Sequence, residues 1–305
     1  MSGGGQAARR RREKPALAAL NGVIDVRLPA RQTAPLIFAS PHSGTDYDPA
    51  FIASSRLDEK NLRRSEDSFV DEIFAGAPES GAPLLCALYP RAYLDPNREP
   101  YELDPDMFSE PLPGHVKTRS DRVRAGFGTI ARLVASGAEI YAGKMTFAEA
   151  ERRIDTLYRP YHRALEGLIE ATLRDFGAAF LLDCHSMPSV GGPTDRDRGT
   201  PRPDIVLGDR FGASCEPAVV ETAERILRDL DFTVRRNEPY AGAFTTAHYG
   251  QPGKRVHALQ IEVNRRLYMN EATVARSRDL PGLKKKMNHF IAAMAEESLA
   301  LVETL

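Results

Sequence analysis

The amino-acid sequence predicts an α/β fold: a single domain with a mixed, mostly parallel sheet and helices on both of its faces. Apolar runs of strand length at 36–39, 179–183 and 256–263 alternate with stretches of helical period, the sequence form of a sheet covered on both sides. With 305 residues the chain can bury one large core. Each run also gives out on residues able to do chemistry: Ser40-Pro41-His42-Ser43-Gly44, Asp183-Cys184-His185-Ser186 and Glu262-Val263-Asn264-Arg265. The carboxyl ends of parallel strands are where open α/β sheets bind their ligands.

Along the chain, residues 1–33 read as a basic tail and lead-in, and the domain occupies 34–305. Gly3-Gly4-Gly5 followed by Arg9-Arg10-Arg11-Arg12 is the composition of a disordered segment. The apolar stretch at 16–26 is too short for a signal peptide and is broken by Asn21 and Asp25. Leu36-Ile37-Phe38-Ala39 opens the sheet. A helix is expected at 66–75, where Phe69, Val70, Ile73 and Phe74 fall on one face. Strands follow at 83–88 and 92–95, parted by Pro90. Residues 96–114, dense in Pro, Asp and Glu, read as an ordered loop too long to be idle. The clearest helix spans 147–176, carried by the periodic Ile154, Leu157, Tyr161, Leu165, Leu168 and Leu173, and Pro160 must kink or split it. Gly177 then leads straight into the strand at 179–183. Beyond a Gly- and Pro-rich loop at 189–203 come a strand at 204–208 and a helix at 217–230 that faces inward through Val219, Ala223, Ile226 and Leu230. A strand at 232–235, the strand at 256–263 and a helix at 281–304, apolar through Leu283, Met287, Phe290, Ile291 and Met294, complete the domain.

A net charge of -1 with 27% charged residues points away from nucleic acid and from acidic membrane surfaces, and toward a small-molecule partner. No run approaches the ~20 apolar residues of a membrane helix. Cys86, Cys184 and Cys215 are widely spaced and form no CxxC pattern, which argues against a disulfide framework or a thiolate zinc knot; a reducing cytoplasm is the expected setting. Nothing in the composition fixes the number of chains that assemble.

A hydrolytic zinc takes about three protein ligands from His, Asp and Glu and leaves a position for water. His42 and His185 are candidate ligands, because strand ends let side chains from distant segments converge. No Glu stands at His-x-x-Glu spacing after His42, so the third ligand comes from elsewhere. Asp67 is the choice, with Glu66 and Asp46 as substitutes; the competing role for Asp67 is to cap the helix that follows. Glu262 closes a run of Leu, Ile and Val, where an unpaired carboxylate is costly unless it faces a cavity, an ion site or an arginine. That setting suits a general base that takes a proton from the attacking water and delivers it to a leaving amine; the competing role is a salt bridge to Arg265 or Arg98. In Pro90-Arg91-Ala92-Tyr93-Leu94-Asp95-Pro96-Asn97-Arg98-Glu99-Pro100, the set Arg91, Asn97 and Arg98 is able to grip a carboxylate from a segment stiffened by two prolines. His248 falls either against substrate or in packing, and His162 reads as a structural residue locking its helix onto the site. Cys184 and Cys215 read as small buried hydrophobes.

Pro41-His42-Ser43-Gly44, Glu66-Asp67, Arg91 with Asp95-Pro96-Asn97-Arg98, Arg159-Pro160-Tyr161-His162, Asp183-Cys184-His185-Ser186, Gly212-Ala213-Ser214-Cys215, His248-Tyr249-Gly250 and Gln260-Ile261-Glu262 with Tyr268-Met269 form a specific set. Through them the chain resembles the N-formylglutamate amidohydrolase family from Pro35 to about Glu271. That family looks like a distant relation of the zinc carboxypeptidases, so the resemblance implies a sheet of the zinc-carboxypeptidase or phosphorylase/hydrolase kind. It further implies His42 and His185 as ligands of one divalent ion, zinc ahead of manganese or cobalt, with Asp67 the inferred third. Glu262 as base and Asn97-Arg98 as a substrate-carboxylate clamp belong to the same likeness, and Arg91 joins the catalytic set with His248 beside the substrate. The implied reaction is hydrolysis of N-formyl-L-glutamate to formate and L-glutamate, a step of histidine breakdown. Hydrolysis of another N-acyl amino acid or small peptide, and a binding protein that keeps the fold without catalysis, are the alternatives; a third is a nucleic-acid contact through the arginine tail.

Overall fold

The computed structural model describes residues 22–192 and 195–305, so the arginine run at 9–12 and most of the lead-in lie outside it. Seven strands pair edge to edge: β1 (Ile24–Arg27), β2 (Leu36–Ser40), β3 (Leu84–Ala87), β4 (Ala179–Met187), β5 (Ile205–Gly208), β6 (Val234–Arg236) and β7 (Val256–Asn264). Their order across the sheet is β1-β3-β2-β4-β7-β5-β6. The central four, β3, β2, β4 and β7, are parallel. At the margins β1 and β5 run antiparallel to their neighbours, and β6 lies parallel to β5. The sheet is therefore mixed and mostly parallel, as the alternating pattern predicts.

Every residue of β2, β4 and β7 is buried, which requires cover on both faces. The principal helices are α1 (Val70–Ile73), α2 (Phe147–Arg153), α3 (Arg159–Phe176), α4 (Pro217–Asp229), α5 (Phe244–Tyr249) and α6 (Leu280–Thr304). On one face Leu182, Cys184, Leu259 and Ile261 meet Val219 and Ala223 of α4 and Met287, Phe290 and Ile291 of α6. On the other, Ile37, Leu181 and Ala258 meet Tyr161, Leu165 and Leu168 of α3. Truncating Leu181 or Leu182 to alanine removes contacts on one face and costs about 2–5 kcal/mol. Because side chains alternate along a strand, Asp183 and His185 share the α3 face with Leu181, and Gln260 and Glu262 share it with Ala258. That face carries the site.

Several elements differ from the sequence reading for identifiable reasons. β1 joins the sheet ahead of Ala34; it is a four-residue edge strand whose Asp25 and Arg27 pair with each other at 2.6 Å, too short and too charged to stand out as a buried run. The expected helix at 66–75 shrinks to the single turn α1, because Phe69 adopts a left-handed φ of 68° and the backbone before it is committed elsewhere. Residues 92–95 are turns, not a strand: Tyr93 N donates to Pro90 O at 2.9 Å and Asp95 N to Thr129 O at 2.8 Å. The long helix does break at Pro160, and the break is a π-turn over Ile154–Tyr158 that leaves Pro160 in the first turn of α3, where its missing N–H is harmless. Gly177 ends α3 at a left-handed φ of 80°, returning its N–H to Leu173 O. β4 extends through Met187, pairing residue by residue with β7 as far as Asn264.

Candidate metal centre

The chain leaves β2 toward β3 on one side and comes back to β4 on the other, so the carboxyl ends of β2 and β4 open a crevice of the kind where α/β sheets hold ligands. His42 lies just past β2 in a turn pinned by Ser40 Oγ donating to Ser43 Oγ at 2.8 Å. Gly44 is required there, because a Cβ would stand 2.3 Å from Tyr89 O. Asp67 N donates to His42 O at 3.0 Å and binds the two segments together.

Three atoms then face one another. His42 Nδ1 is 3.2 Å from Asp67 Oδ2, His185 Nδ1 is 3.0 Å from the same oxygen, and the two Nδ1 atoms are 3.1 Å apart. All three residues are buried. The outer nitrogens explain the arrangement: His42 Nε2 lies 2.7 Å from Asp95 Oδ1 and His185 Nε2 lies 3.0 Å from Asp183 Oδ2. A carboxylate cannot donate, so each imidazole carries a proton on Nε2, and with a cation among the three inner atoms each Nδ1 would turn its lone pair inward. Asp67 is oriented in the same way: Arg265 Nη2 donates to its Oδ1 at 3.0 Å and Ser186 Oγ at 3.3 Å, leaving Oδ2 for the histidines.

Three electron-pair donors at this separation repel unless positive charge sits among them. A tetrahedral ion with bonds of ~2.0–2.1 Å sets its ligand atoms about 3.3 Å apart, so the triangle fits a zinc-sized cation. Without an ion, a proton on the inner ring nitrogens supplies that positive charge. Burial alone lowers an imidazole and raises a carboxyl, yet Asp183 and Asp67 hold His185 well above the usual imidazole range, and hydrogen bonds from His185 and His42 hold Asp67 well below the usual carboxylate range. Asp95 is likewise kept low, against its burial, by His42, Arg98 and Arg91. The substitutes for Asp67 are elsewhere: Asp46 is exposed, and Glu66 turns its carboxylate to Tyr47, Arg63 and Ser68. Asp67 caps no helix with its side chain.

Glu262 stands opposite His185 in the β4–β7 register, on the same face of the sheet. It makes no salt bridge to Arg265, which is turned to Asp67, or to Arg98; it accepts from Gln260 Nε2 at 2.9 Å. Burial, reinforced by Asp67, pushes its carboxyl up to about 7 although His185, Arg91 and Arg265 pull the other way. Arg91 Nη2 donates to Asp95 Oδ2 at 2.9 Å, the one hydrogen-bond partner of this guanidinium among the described residues, and its side chain stays 22% exposed. Arg98 is different: Nη1 donates to Asn97 O at 2.7 Å and Nε to Phe127 O at 3.0 Å, and burial lowers its pKa to about 10. Asn97 is engaged within the protein, its Oδ1 accepting from Thr245 N at 2.7 Å and its Nδ2 lying 3.3 Å from Asp183 Oδ2 and 3.1 Å from His185 Nε2. His248 is exposed on α5 with its ring stacked on Phe244, centroids 4.9 Å apart.

A model of the N-formylglutamate amidohydrolase family matches residues 34–269. The chain belongs to that family. Among its relatives, N-formylglutamate deformylase of Pseudomonas aeruginosa is 29% identical over 244 residues, covering 79% of this chain and 84% of that one. The Pseudomonas putida protein of the same name is 27% identical over 241 residues, covering 78% and 82%. A crystal structure of N-formylglutamate amidohydrolase from Ralstonia eutropha JMP134 superposes with a TM-score of 0.83 at 38% identity, over 90% of this chain and 98% of that one. The matched span of this amidohydrolase chain contains every residue of the triangle and of its supports. Among these supports, the contacts of Asp95 with His42, Asp183 with His185 and Arg265 with Asp67 escape a reading by residue type. Asp183 had a usable signal: it precedes His185 by one pleat on the same strand face. Asp95 and Arg265 act across turns that carry no period.

Proposed function

We propose that the chain is a metal-dependent hydrolase of N-formyl-L-glutamate, releasing formate and L-glutamate. The observation that carries the reading is the triangle of two inward Nδ1 atoms and a carboxylate oxygen, each imidazole fixed by its own buried carboxylate, with Glu262 one strand away. His42, Asp67 and His185 would hold one divalent ion, zinc by size and donor set. Such an ion supplies Lewis-acid polarisation of the amide oxygen and lowers the pKa of water at the site.

The chain's own residues do the rest. Glu262 accepts a proton from the attacking water as the new C–O bond forms, and passes it to the nitrogen as the C–N bond breaks. Arg91, partly exposed and with donors to spare, receives a substrate carboxylate. Arg98 supports this from behind, its guanidinium holding the loop that carries Asn97 and Asp95. His248, exposed on α5 three residues after Thr245, is open to contact with substrate.

The relatives' names supply the substrate, and the chemistry of the site supplies the reaction class. Metal analysis of the purified protein, combined with formate release from N-formyl-L-glutamate before and after chelation, tests both. About one ion per chain and turnover that chelation abolishes and zinc restores is the expected result. Turnover of N-acetyl or N-succinyl amino acids in preference to formyl ones would reassign the substrate; activity untouched by exhaustive chelation would end the metal reading.

A further inference from the structure

We propose that Tyr158 and His162 are positioning residues of the metal centre, a side-chain clamp on α3 and its π-turn that sets the loop orienting both histidine ligands. The two residues lie one helical turn apart with their rings 4.1 Å between centroids. Tyr158 Oη donates to Arg98 O at 2.8 Å, and His162 Nε2 lies 2.9 Å from Pro96 O. Those carbonyls bracket Asn97. The same short loop holds Asp95, which orients His42, and Asn97, whose amide lies beside His185 and Asp183. Thus a few tenths of an ångström at the clamp are felt at both outer nitrogens.

Two further observations make the clamp more than ordinary packing. A carbonyl only accepts, so His162 carries its proton on Nε2; its Nδ1 then accepts from Tyr249 Oη at 2.7 Å, and Tyr249 closes α5, whose Thr245 N holds Asn97 Oδ1. Asn97 is therefore held at its side chain from α5 and at its flanking backbone from α3, with His162 joining the two. The π-turn ends on Tyr158 and inserts extra chain into the helix at this place, which is where such bulges serve sites.

The inference rests on the metal reading, and its test keeps the two apart. Zinc affinity is measured by competition with a chromophoric chelator at a fixed pH for the parent, Tyr158→Phe, His162→Leu and His162→Gln, alongside the melting temperature of each chelator-stripped protein. Glutamine places an N–H near the Nε2 position and should restore the Pro96 contact. Expected are zinc affinities about tenfold weaker for Tyr158→Phe and His162→Leu, and a value near the parent's for His162→Gln. Stripped Tyr158→Phe and His162→Gln should melt close to the parent. If Tyr158→Phe and His162→Leu both bind zinc as the parent does, the clamp is structural only and the inference is overturned. A parent that binds no zinc at all would instead remove the metal reading, and the clamp's role with it. Should His162→Leu fail to fold, the Tyr158→Phe comparison decides alone.

Discussion

Replacing Glu262 with glutamine should stabilise the protein while stopping its chemistry. The carboxylate is 7% exposed, flanked by apolar strand residues, and its carboxyl is raised to about 7 chiefly by burial. An unfolded chain returns it to the ordinary value of about 4.3. Folding therefore binds a proton between these values: the native state has its full stability from this group below about pH 4 and loses it as pH climbs toward about 7, by about 1.4 kcal/mol per pH unit. The total approaches about 4 kcal/mol above pH 8. Glutamine keeps the shape and the bond from Gln260 Nε2, carries no charge, and escapes that loss. The comparison belongs in denaturant unfolding of chelator-treated parent and variant at pH 4 and pH 8, since a bound dication would lower the carboxyl and mask the effect. The variant should gain about 3 kcal/mol on the parent between the two pH values, while kcat/KM with metal restored drops by about 10²–10⁴. A difference that does not change with pH would show that Glu262 ionises as an ordinary carboxylate; a variant that turns over like the parent would remove it as the base.

Other outcomes follow from the same geometry. His185→Ala, which deletes one corner of the triangle, should strip the metal, so that elemental analysis after purification finds well under one ion per chain; full metal occupancy contradicts the ligand assignment. Asp183→Asn keeps the volume but removes the charge behind His185, and zinc affinity should weaken by about 10–100-fold, measured by chelator competition. Arg91→Met should lower kcat/KM by about 10–100-fold, the worth of a charge-assisted contact, with zinc content unchanged; an unaltered KM would return the clamp to Arg98. Arg265→Met leaves the Asp67 charge buried without its partner, and denaturant curves of the stripped protein should show a loss of about 3 kcal/mol.

The sheet and most helices were legible because burial imposes period. Leu181, Leu182, Leu259 and Ile261 mark strands covered on both faces, and the recurring apolar face of the long helix survives even its π-turn. The meeting of His42 and His185 was legible for the same reason: β2 and β4 are neighbouring parallel strands, and their carboxyl ends bring the two residues to one crevice. What lies in turns was not. Residues 92–95 look strand-like by composition, yet Pro90, Pro96 and the bond to Thr129 O make them a scaffold for Asp95. The helix expected at 66–75 misleads because acidic residues ahead of apolar spacing are also what a helix start looks like, whereas Phe69 turns left-handed and only Val70–Ile73 is helical. Arg98 illustrates a deeper limit: residue type marks a cation but not where its donors go, and here they go to Asn97 O and Phe127 O.

The positions of the parts along the chain have a consequence for how the protein comes into being. His42, Asp67 and His185 all precede β7, yet β4 is an open edge until β7 pairs beside it, and the arginine that aims Asp67 lies just past the end of that strand. A growing polypeptide thus carries every donor atom long before it owns a place to put an ion. Such late, long-range parallel pairing is slow to nucleate. Cation capture should therefore be the last event of biogenesis, and a chain truncated before Val256 should come off the ribosome with its ligands intact and no grip on metal.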